Sequence, residues 1–338
     1  MKPYLTNVPV KVNIWIRPDC QRKQFEVLKQ ARPSIMFLQS DGGRNEKEWE
    51  AIRQNRAIFD KEIDWECMVY KLYEEKNNGL YAMGRKTGQL IWSTVDRCIF
   101  LEDDFVPSVS YFKFCEELLE KYKDDTRINA ICAMTHTGTW DRASSDYFFS
   151  ETGSIWGMAT WKRTYDLRAS AFNYTEDNYS LDLLKERAKD DKYFVERVLG
   201  YAKNETYGGH VAGAEFFHAL EVYGHNQLFI VPKKNMMCNI GCTPDSAHAA
   251  DYNLLPRATR KIFNMKTYEY DFPLKHPFYV IADKKYSKAE RKIMAYDRPF
   301  INFCRRIESA FLVLKYKGFK GLFKKIKKVI TNKNKKTN

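Results

Sequence analysis

Three consecutive acids, Glu102, Asp103 and Asp104, close the apolar run Cys98-Ile99-Phe100-Leu101. A buried parallel strand delivers its last residues to the crevice where open α/β sheets bind ligands. Carboxylates gathered there repel one another and lose hydration, so they call for a cation or a polar ligand as offset. A divalent ion with oxygen ligands, bridging to phosphate oxygens, meets that need. At an exposed strand end the same acids would simply cap the next helix, whose entry is expected at Pro107-Ser108.

Elements able to position these acids are legible on both sides. Lys11–Ile16 alternates as a strand and ends at Arg17-Pro18-Asp19, after which Gln21–Gln30 has helical spacing. Pro33 breaks that helix, and Ser34–Ser40 reads as a second buried strand opening into the turn Asp41-Gly42-Gly43-Arg44-Asn45. A helix over Lys47–Asp60 follows, then a short extended segment within Ile63–Leu72, then Asn77-Asn78-Gly79. Leu80–Ser93 is helical, with Gly84 and Gly88 allowing close packing, and the strand Arg97–Leu101 leads into the acids. Val109–Lys121 is an amphipathic helix and Asn129–Met134 a strand. Beyond them Phe148–Trp161 is loosely patterned and rich in glycine and aromatics. Leu181–Leu199 reads as a helix, and Val211–Tyr223 as a shorter one before the strand Leu228–Val231. Ser287–Tyr316 is expected to be helical and to pack an apolar face, with Gly318 as its interruption. Strands alternating with helices at this spacing predict an α/β fold with a doubly wound, mostly parallel sheet.

The 338 residues suit one large α/β domain with an appendage, and 22 Phe, 21 Tyr and 7 Trp exclude disorder over most of the length. Met1–Val10 is polar and proline-interrupted, so no secretory signal is expected, and no apolar run approaches a membrane span. Eight cysteines are scattered, and the close pair Cys238 and Cys242 has no second pair to complete a zinc arrangement. They are expected to be reduced core thiols of a cytosolic protein. His210, His218 and His225 are 8 and 7 residues apart, which does not stack them one turn apart as zinc ligands. The net charge of +13 is concentrated: ten lysines and no acid lie between Lys315 and Asn338, leaving about +3 for the rest. In that tail Phe319, Leu322, Phe323, Ile326 and Ile330 share one helix face, with Lys320, Lys324, Lys327 and Lys328 on the others. Such a segment reads as an interfacial amphipathic helix, each lysine contributing about 1 kcal/mol near an anionic surface. Without stacking aromatics or a binding motif, nucleic acid is not the expected partner; a solubilising tail is the other reading.

Taken in order, six features resemble nucleotide-sugar glycosyltransferases of the GT-A fold. They are Arg17-Pro18, Ser40-Asp41-Gly42-Gly43-Arg44, Asn78-Gly79, Leu101-Glu102-Asp103-Asp104, Gly153-Ser154-Ile155-Trp156-Gly157, and Asn239-Ile240-Gly241 leading to Ser246-Ala247-His248. The nearest flavour is the bacterial relatives of the N-acetylglucosaminyltransferase I type, and the likeness covers roughly residues 10–250. It implies a GT-A-like catalytic domain over 1–270, with a nucleotide-binding half (1–104) and an acceptor half (105–270). A C-terminal helical extension (271–317) and the basic amphipathic tail (318–338) would follow.

The resemblance also implies roles. Glu102 would face the donor sugar, Asp103 the ribose, and Asp104 a Mn²⁺ or Mg²⁺ ion bridging the diphosphate. His248 would be a late ligand to the metal or diphosphate. Arg17 suits an oxyanion or base contact. Asp41 stands where the family holds the nucleotide, with the following glycines admitting backbone N–H groups and Arg44 adding positive charge; its other reading is a cap on the next helix. Asn78 joins the donor-binding set, Gly153 and Gly157 would allow close approach of the donor sugar, and Trp140, Trp156 or Trp161 would stack on sugar faces. Glu215, at the start of a helix, would be the base that deprotonates an acceptor hydroxyl. Aromatic neighbours would raise its pKa while the helix terminus lowers it.

The implied function is a metal-dependent, inverting glycosyltransferase acting on a saccharide or lipid-linked saccharide in surface polysaccharide biosynthesis. It would lie in the cytoplasm on the inner face of the cell membrane, held through residues 319–338. The alternative class is a non-enzymatic membrane-surface protein that acts through its basic tail.

Overall fold

The computed structural model describes residues 1–204, 206–207, 211–243, 251–295 and 298–334, with the backbone alone at 326 and 328–334. Strand β1 (Thr6–Ile14) buries Val8, Val10, Val12 and Ile14 on one face. Helix α1 (Pro18–Ala31) starts on a proline, where a missing N–H leaves no bond unmade, and stops at Arg32 in the left-handed region (φ 45°). β2 (Pro33–Ser40) follows, then α2 (Glu46–Glu62), whose first turn is capped by the Asn45 side chain accepting from the Glu48 N–H. Next come β3 (Met68–Tyr73), α3 (Leu80–Thr94), β4 (Arg97–Leu101), the short β5 (Phe105–Pro107) and α4 (Ser110–Lys121). The second half contains β6 (Ile128–Cys132), β7 (Tyr147–Ser150), β8 (Met158–Trp161), α5 (Lys162–Asp166), α6 (Asn178–Arg187), α7 (Lys192–Lys203) and α8 (Ala214–Gly224). After these lie β9 (Leu228–Pro232), β10 (Met237–Asn239), α9 (Arg257–Arg260), α10 (Lys284–Met294) and α11 (Pro299–Asn334).

Eight strands form one sheet in the order β3-β2-β1-β4-β8-β6-β9-β7. β1 is parallel to β2 and β4, β2 to β3, and β6 to β9, while β8 and β7 run against their neighbours. Six of the eight strands therefore point the same way, and the sheet is mixed but mostly parallel. Helices cover both faces because alternate residues of the buried strands are apolar on both sides. Phe25, Leu28, Phe59 and Phe112 from α1, α2 and α4 pack with Val10, Val12, Met36 and Leu38; Ile91 and Trp92 of α3 pack on Phe37 and Cys98. A separate small cluster joins α6, α7 and α8 through Leu184, Phe194, Val198, Phe216 and Leu220.

Several expectations are corrected. Phe148–Trp161 holds two strands, β7 and β8, whose four-residue spans are too short to show a period between glycine-containing turns. The single helix expected over Leu181–Leu199 is two, because Asp191 starts α7 afresh by capping the Phe194 N–H. Gly88 does sit under a neighbour, with the Tyr165 hydroxyl 3.2 Å from where a Cβ would be, but around Gly84 there is open space. All eight cysteines are free thiols; Cys304 is exposed and so is not a core residue. Ser287–Tyr316 is not one helix: α10 ends at Ala295 in the left-handed region (φ 60°) and α11 begins at Pro299, while Ile293, Met294 and Val313 face inward. α10 packs Tyr286, Ile293 and Met294 against the core, and Glu290 adds a contact to His136 at 2.6 Å with both side chains buried. Phe300, Phe303, Ile307 and Phe311 of α11 are exposed.

Candidate active site

β1, β2 and β4 are adjacent and parallel, with Ile14 opposite Ser40 and Val12 opposite Leu101. The residues that follow them, Trp15–Arg17, Asp41 and Glu102–Asp104, therefore leave the sheet at one carboxyl edge, where open α/β sheets take their ligands.

Arg17 organises the acids. Its Nε and Nη2 donate to the two carboxylate oxygens of Asp103 at 2.8 and 2.5 Å, and Nη1 donates to Asp104 Oδ2 at 2.9 Å. A guanidinium fork matches a carboxylate in this way, and a lysine could not. Asp103 is 4% exposed and the Asp104 side chain 14%. Burial opposes the charge on Arg17, but hydrogen bonding to Asp103 and the charges of both aspartates more than reverse it, so its pKa rises. Burial pushes Asp104 up to about 6, against the pull of Arg17 and with help from the Asp103 charge. Asp103 is likewise pushed up by burial and held back by Arg17. Arg17 thus faces the acids, not an open phosphate site, because two desolvated carboxylates already claim its donors.

Glu102 is placed differently. It accepts from Asn13 Nδ2, has Lys11 Nζ at 3.7 Å, and keeps about half of its side chain in solvent. Asn13 stands opposite Gln39 in the β1–β2 register. Asn13 Oδ1 and Gln39 Oε1 are buried with no hydrogen-bond partner among the described residues, an arrangement native proteins rarely tolerate without a function. Lys11, Asn13 and Gln39 are not among the residues expected from the sequence to line a site, yet the sequence carries a signal for them. Polar residues alternating through Val10-Lys11-Val12-Asn13-Ile14 suggest a solvated face, but a sheet covered on both sides has none. Polar side chains there line a polar recess.

The other wall is a two-stranded sheet that the sequence did not announce. β10 pairs antiparallel with β5, bringing Asn239 opposite Phe105. The Ile240 N–H donates to the Asp104 carbonyl at 3.0 Å, and the Gly241 N–H to Asn239 Oδ1 at 2.8 Å. A Cβ on Gly241 would stand 1.7 Å from Asp104 Oδ2 and 2.7 Å from Arg17 Nη1, so any side chain there would displace the carboxylate or the guanidinium. His248 lies outside the described residues, which stop at Thr243 on this side.

Asp41 is fastened to its own chain. Its carboxylate accepts from the N–H groups of Asn78 at 2.9 Å and Gly79 at 2.8 Å, at the entry of α3. It therefore fastens the turn that leads into α3 and does not cap the next helix, α2, which Asn45 caps. Asn77 Nδ2 donates to the Gly42 carbonyl at 2.8 Å, and a Cβ on Gly42 would meet the Lys76 backbone at 2.5 Å, so the two loops interlock. Asn78 is held in this contact by its backbone and by its side chain, which reaches Asp41 at 3.3 Å. Arg44 is exposed, its charge paired with Glu48 at 2.6 Å and its guanidinium 5.8 Å from the Trp15 ring.

Other expected residues lie elsewhere. A Cβ on Gly153 would collide with Cys132 Sγ at 2.6 Å and Phe229 at 2.7 Å, so this glycine serves core packing between β6 and β9. Gly157 (φ 70°) faces Met237, whose methyl would lie 2.1 Å from a Cβ at this position. Trp161 is buried and donates to the Leu119 carbonyl, and Trp140 donates to Asp283 at the start of α10. Trp156 packs between Phe105 and Phe263, so of the three it stands nearest the acids in the chain of contacts. Glu215 is exposed on the first turn of α8 and is not enclosed by aromatics: the helical step turns Phe216 inward and leaves Glu215 outward.

Among the described residues no three His, Cys, Asp or Glu side chains gather as a metal cage. The donor chemistry nevertheless fits a divalent ion that takes its other ligands from phosphate and water. Three carboxylates face two cations, Arg17 and Lys11, and Asp104, whose pKa is raised first by burial, shares its counter-charge with Asp103.

No protein-family model matches the chain, and no curated protein matches it. Among solved structures it is similar to the mannosyltransferase PcManGT of Pyrobaculum calidifontis, determined with GDP-Man and Mn²⁺. That match has 10% identity over 66% of this chain and 70% of the other, with a TM-score of 0.35. It is also similar to the apo-form glycosyltransferase GlyE of Streptococcus pneumoniae TIGR4, at 14% identity over 51% of this chain and 39% of the other, with a TM-score of 0.27. Likeness at this level decides nothing about the chemistry.

Proposed function

We propose that the chain is a glycosyltransferase that moves a sugar from a nucleotide-sugar donor to a hydroxyl of a saccharide acceptor in building a surface polysaccharide. The observation that carries this reading is the convergence of Glu102, Asp103, Asp104, Arg17 and Gly241 at the carboxyl edge of β1 and β4, beside the Asp41-fastened entry of α3. Anionic side chains held this close in a crevice suit a donor whose diphosphate brings a cation with it.

Asp104 would hold Mn²⁺ or Mg²⁺, with His248 as a further ligand, and the ion would neutralise charge on the departing diphosphate. Arg17 keeps Asp103 and Asp104 oriented, which spares reorganisation when the donor arrives. Asp41 fixes loop 76–79 against Gly42, and the recess of Lys11, Asn13, Gln39 and Glu102 offers unmatched acceptors to donor hydroxyls. Glu215 would take the proton from the acceptor hydroxyl as its oxygen attacks the anomeric carbon. The bond to the diphosphate breaks on the opposite side, so the configuration inverts. The acceptor would be a lipid-linked saccharide, with the basic segment 319–338 holding the protein on the inner face of the cell membrane.

A thermal-melting screen with UDP-, GDP- and CMP-containing compounds and Mn²⁺ tests the site. A ligand at 100 times its Kd stabilises by about 2.7 kcal/mol, an easily read shift. The nucleotide that stabilises the protein should also support sugar turnover, and Asp104→Ala should abolish that turnover in a folded protein. Absence of any nucleotide-dependent shift, or full activity of the variant, overturns the reading.

A further inference from the structure

One row of apolar residues on α11 turns outward, while Val313 on the other side of the helix is buried. Phe300, Phe303, Ile307 and Phe311 recur at intervals of three and four, so they form one stripe, and all four are exposed, Phe300 to 76% and Phe311 to 68%. The opposite side holds the helix to the body. Asn302 donates to the Ala295 carbonyl at 3.0 Å, Arg305 to the Ile293 carbonyl, and Glu308 accepts the Arg257 N–H at 2.8 Å. A contiguous apolar stripe left in water marks an interaction surface.

At Gly318 (φ 63°) the chain reverses. Lys325 Nζ donates to Ser309 Oγ at 2.5 Å although the two residues are 16 apart. In one continuous helix they would be separated by about 24 Å. The second segment therefore folds back along the first as a helical hairpin, and its Phe319 and Phe323 are exposed as well. Between Pro299 and Asn338 a single acid, Glu308, stands against two arginines and ten lysines. A second copy of the chain would bring like charges together. Nucleic acid would neutralise the lysines but leave the phenyl stripe wet. An anionic bilayer answers both, with lysines at the headgroups and phenyl rings at the acyl boundary. Among the described residues no helix is long and apolar enough to cross a membrane, so the hairpin would lie along it.

We propose that Pro299–Asn334 docks flat on an anionic lipid bilayer through both of its segments, with the stripe from Phe300 to Phe311 as its main apolar anchor. This extends the tail reading back from residue 319 to Pro299, and it rests on the lipid partner in that reading but not on sugar transfer. The surface also connects to the acids. Lys317 pairs with Asp251 at 3.4 Å, and the same stretch of chain reaches the Asn239 carbonyl through the Asn264 N–H at 2.9 Å, two residues from Gly241. Docking would set the acidic crevice beside the bilayer, where the saccharide head of a lipid-linked acceptor lies.

The test is flotation of the full chain with vesicles of phosphatidylcholine alone and of phosphatidylcholine mixed with phosphatidylglycerol. The parent should float only with the anionic vesicles. The variant carrying Phe300→Ser, Phe303→Ser, Ile307→Ser and Phe311→Ser should melt as the parent does and partition about tenfold more weakly or worse. Phe311→Ser alone should show a smaller loss, and Lys320→Gln with Lys324→Gln should weaken binding in a salt-sensitive way. Parent-like binding by the serine variant overturns the proposal. So does a parent dimer in solution that the serine variant dissolves, which would make the stripe a contact between copies. Binding is read without donor or acceptor, so a failure of the sugar-transfer reading leaves this result standing.

Discussion

The backbone of Gly241 lies so close to Asp104 that a methyl group on the glycine would fall 1.7 Å from the Asp104 Oδ2. Nothing can be added at residue 241 without moving the carboxylate or Arg17, whose Nη1 would be 2.7 Å away. Gly241→Ala should therefore cost about 1–3 kcal/mol in urea unfolding, the usual penalty of overpacking. Nucleoside diphosphate release by the folded variant should fall at least tenfold, by about 1.4 kcal/mol or more of activation free energy. Unimpaired turnover would show that the position of Asp104 does not matter to the reaction.

Asp104 carries a stability cost that depends on pH. Its carboxyl titrates near 6 in the folded protein and near 3.8 when unfolded, so between those values the folded chain holds a proton that the unfolded chain has lost. Its contribution is most favourable below about pH 4 and declines by roughly 3 kcal/mol as pH rises past 6. Asp104→Asn escapes this, so its stability relative to the parent should grow from pH 4 to pH 7 while turnover is lost. Denaturant titrations across that range check the slope, and a pH-independent difference between the two proteins would refute it. Mn²⁺ with the matching nucleoside diphosphate should stabilise the parent above pH 6 and lose that effect near pH 4.

Arg17 is the counter-charge of a buried acid. Arg17→Ala leaves Asp103 desolvated and unpaired, and should destabilise by about 3–5 kcal/mol. Arg17→Lys should recover only part of this, since an ammonium cannot span both oxygens at 2.8 and 2.5 Å. Equal stability of the lysine variant and the parent in urea melts would contradict the fork.

Asp41→Ala removes the acceptor for two N–H groups at the entry of α3 and should cost about 1 kcal/mol of stability. Because the same bonds hold loop 76–79 beside Gly42, nucleotide affinity in the melting screen should fall with it. A variant that loses stability but binds nucleotide as the parent does would separate the loop from the donor site.

Gln39 offers the opposite sign. Among the described residues its Oε1 is buried without a partner, so Gln39→Leu removes a polar burial cost of about 1–3 kcal/mol and should be neutral or stabilising without ligand. If the recess receives donor hydroxyls, affinity for the nucleotide sugar should drop while affinity for the nucleoside diphosphate stays. A variant that is simply destabilised would show that the amide serves the fold and not a ligand.

Local patterning along the chain determined a good deal. The strand Arg97–Leu101, the turn at Asp41, the helix over Leu80–Ser93 and the acids after β4 are all written in contiguous residues, because apolar periodicity and turn chemistry act within a few positions. What lies on each side of those elements is not a local property. Only tertiary structure turned Arg17 onto Asp103, paired β10 with β5 across more than a hundred residues, and brought Gly241 against Asp104. It also made Lys11 and Asn13 buried, since burial on both faces of a sheet depends on helices drawn from distant sequence. The apolar face of α11 shows the same limit. Helical spacing announces a stripe, but whether the stripe meets a core or water depends on what the rest of the chain leaves uncovered.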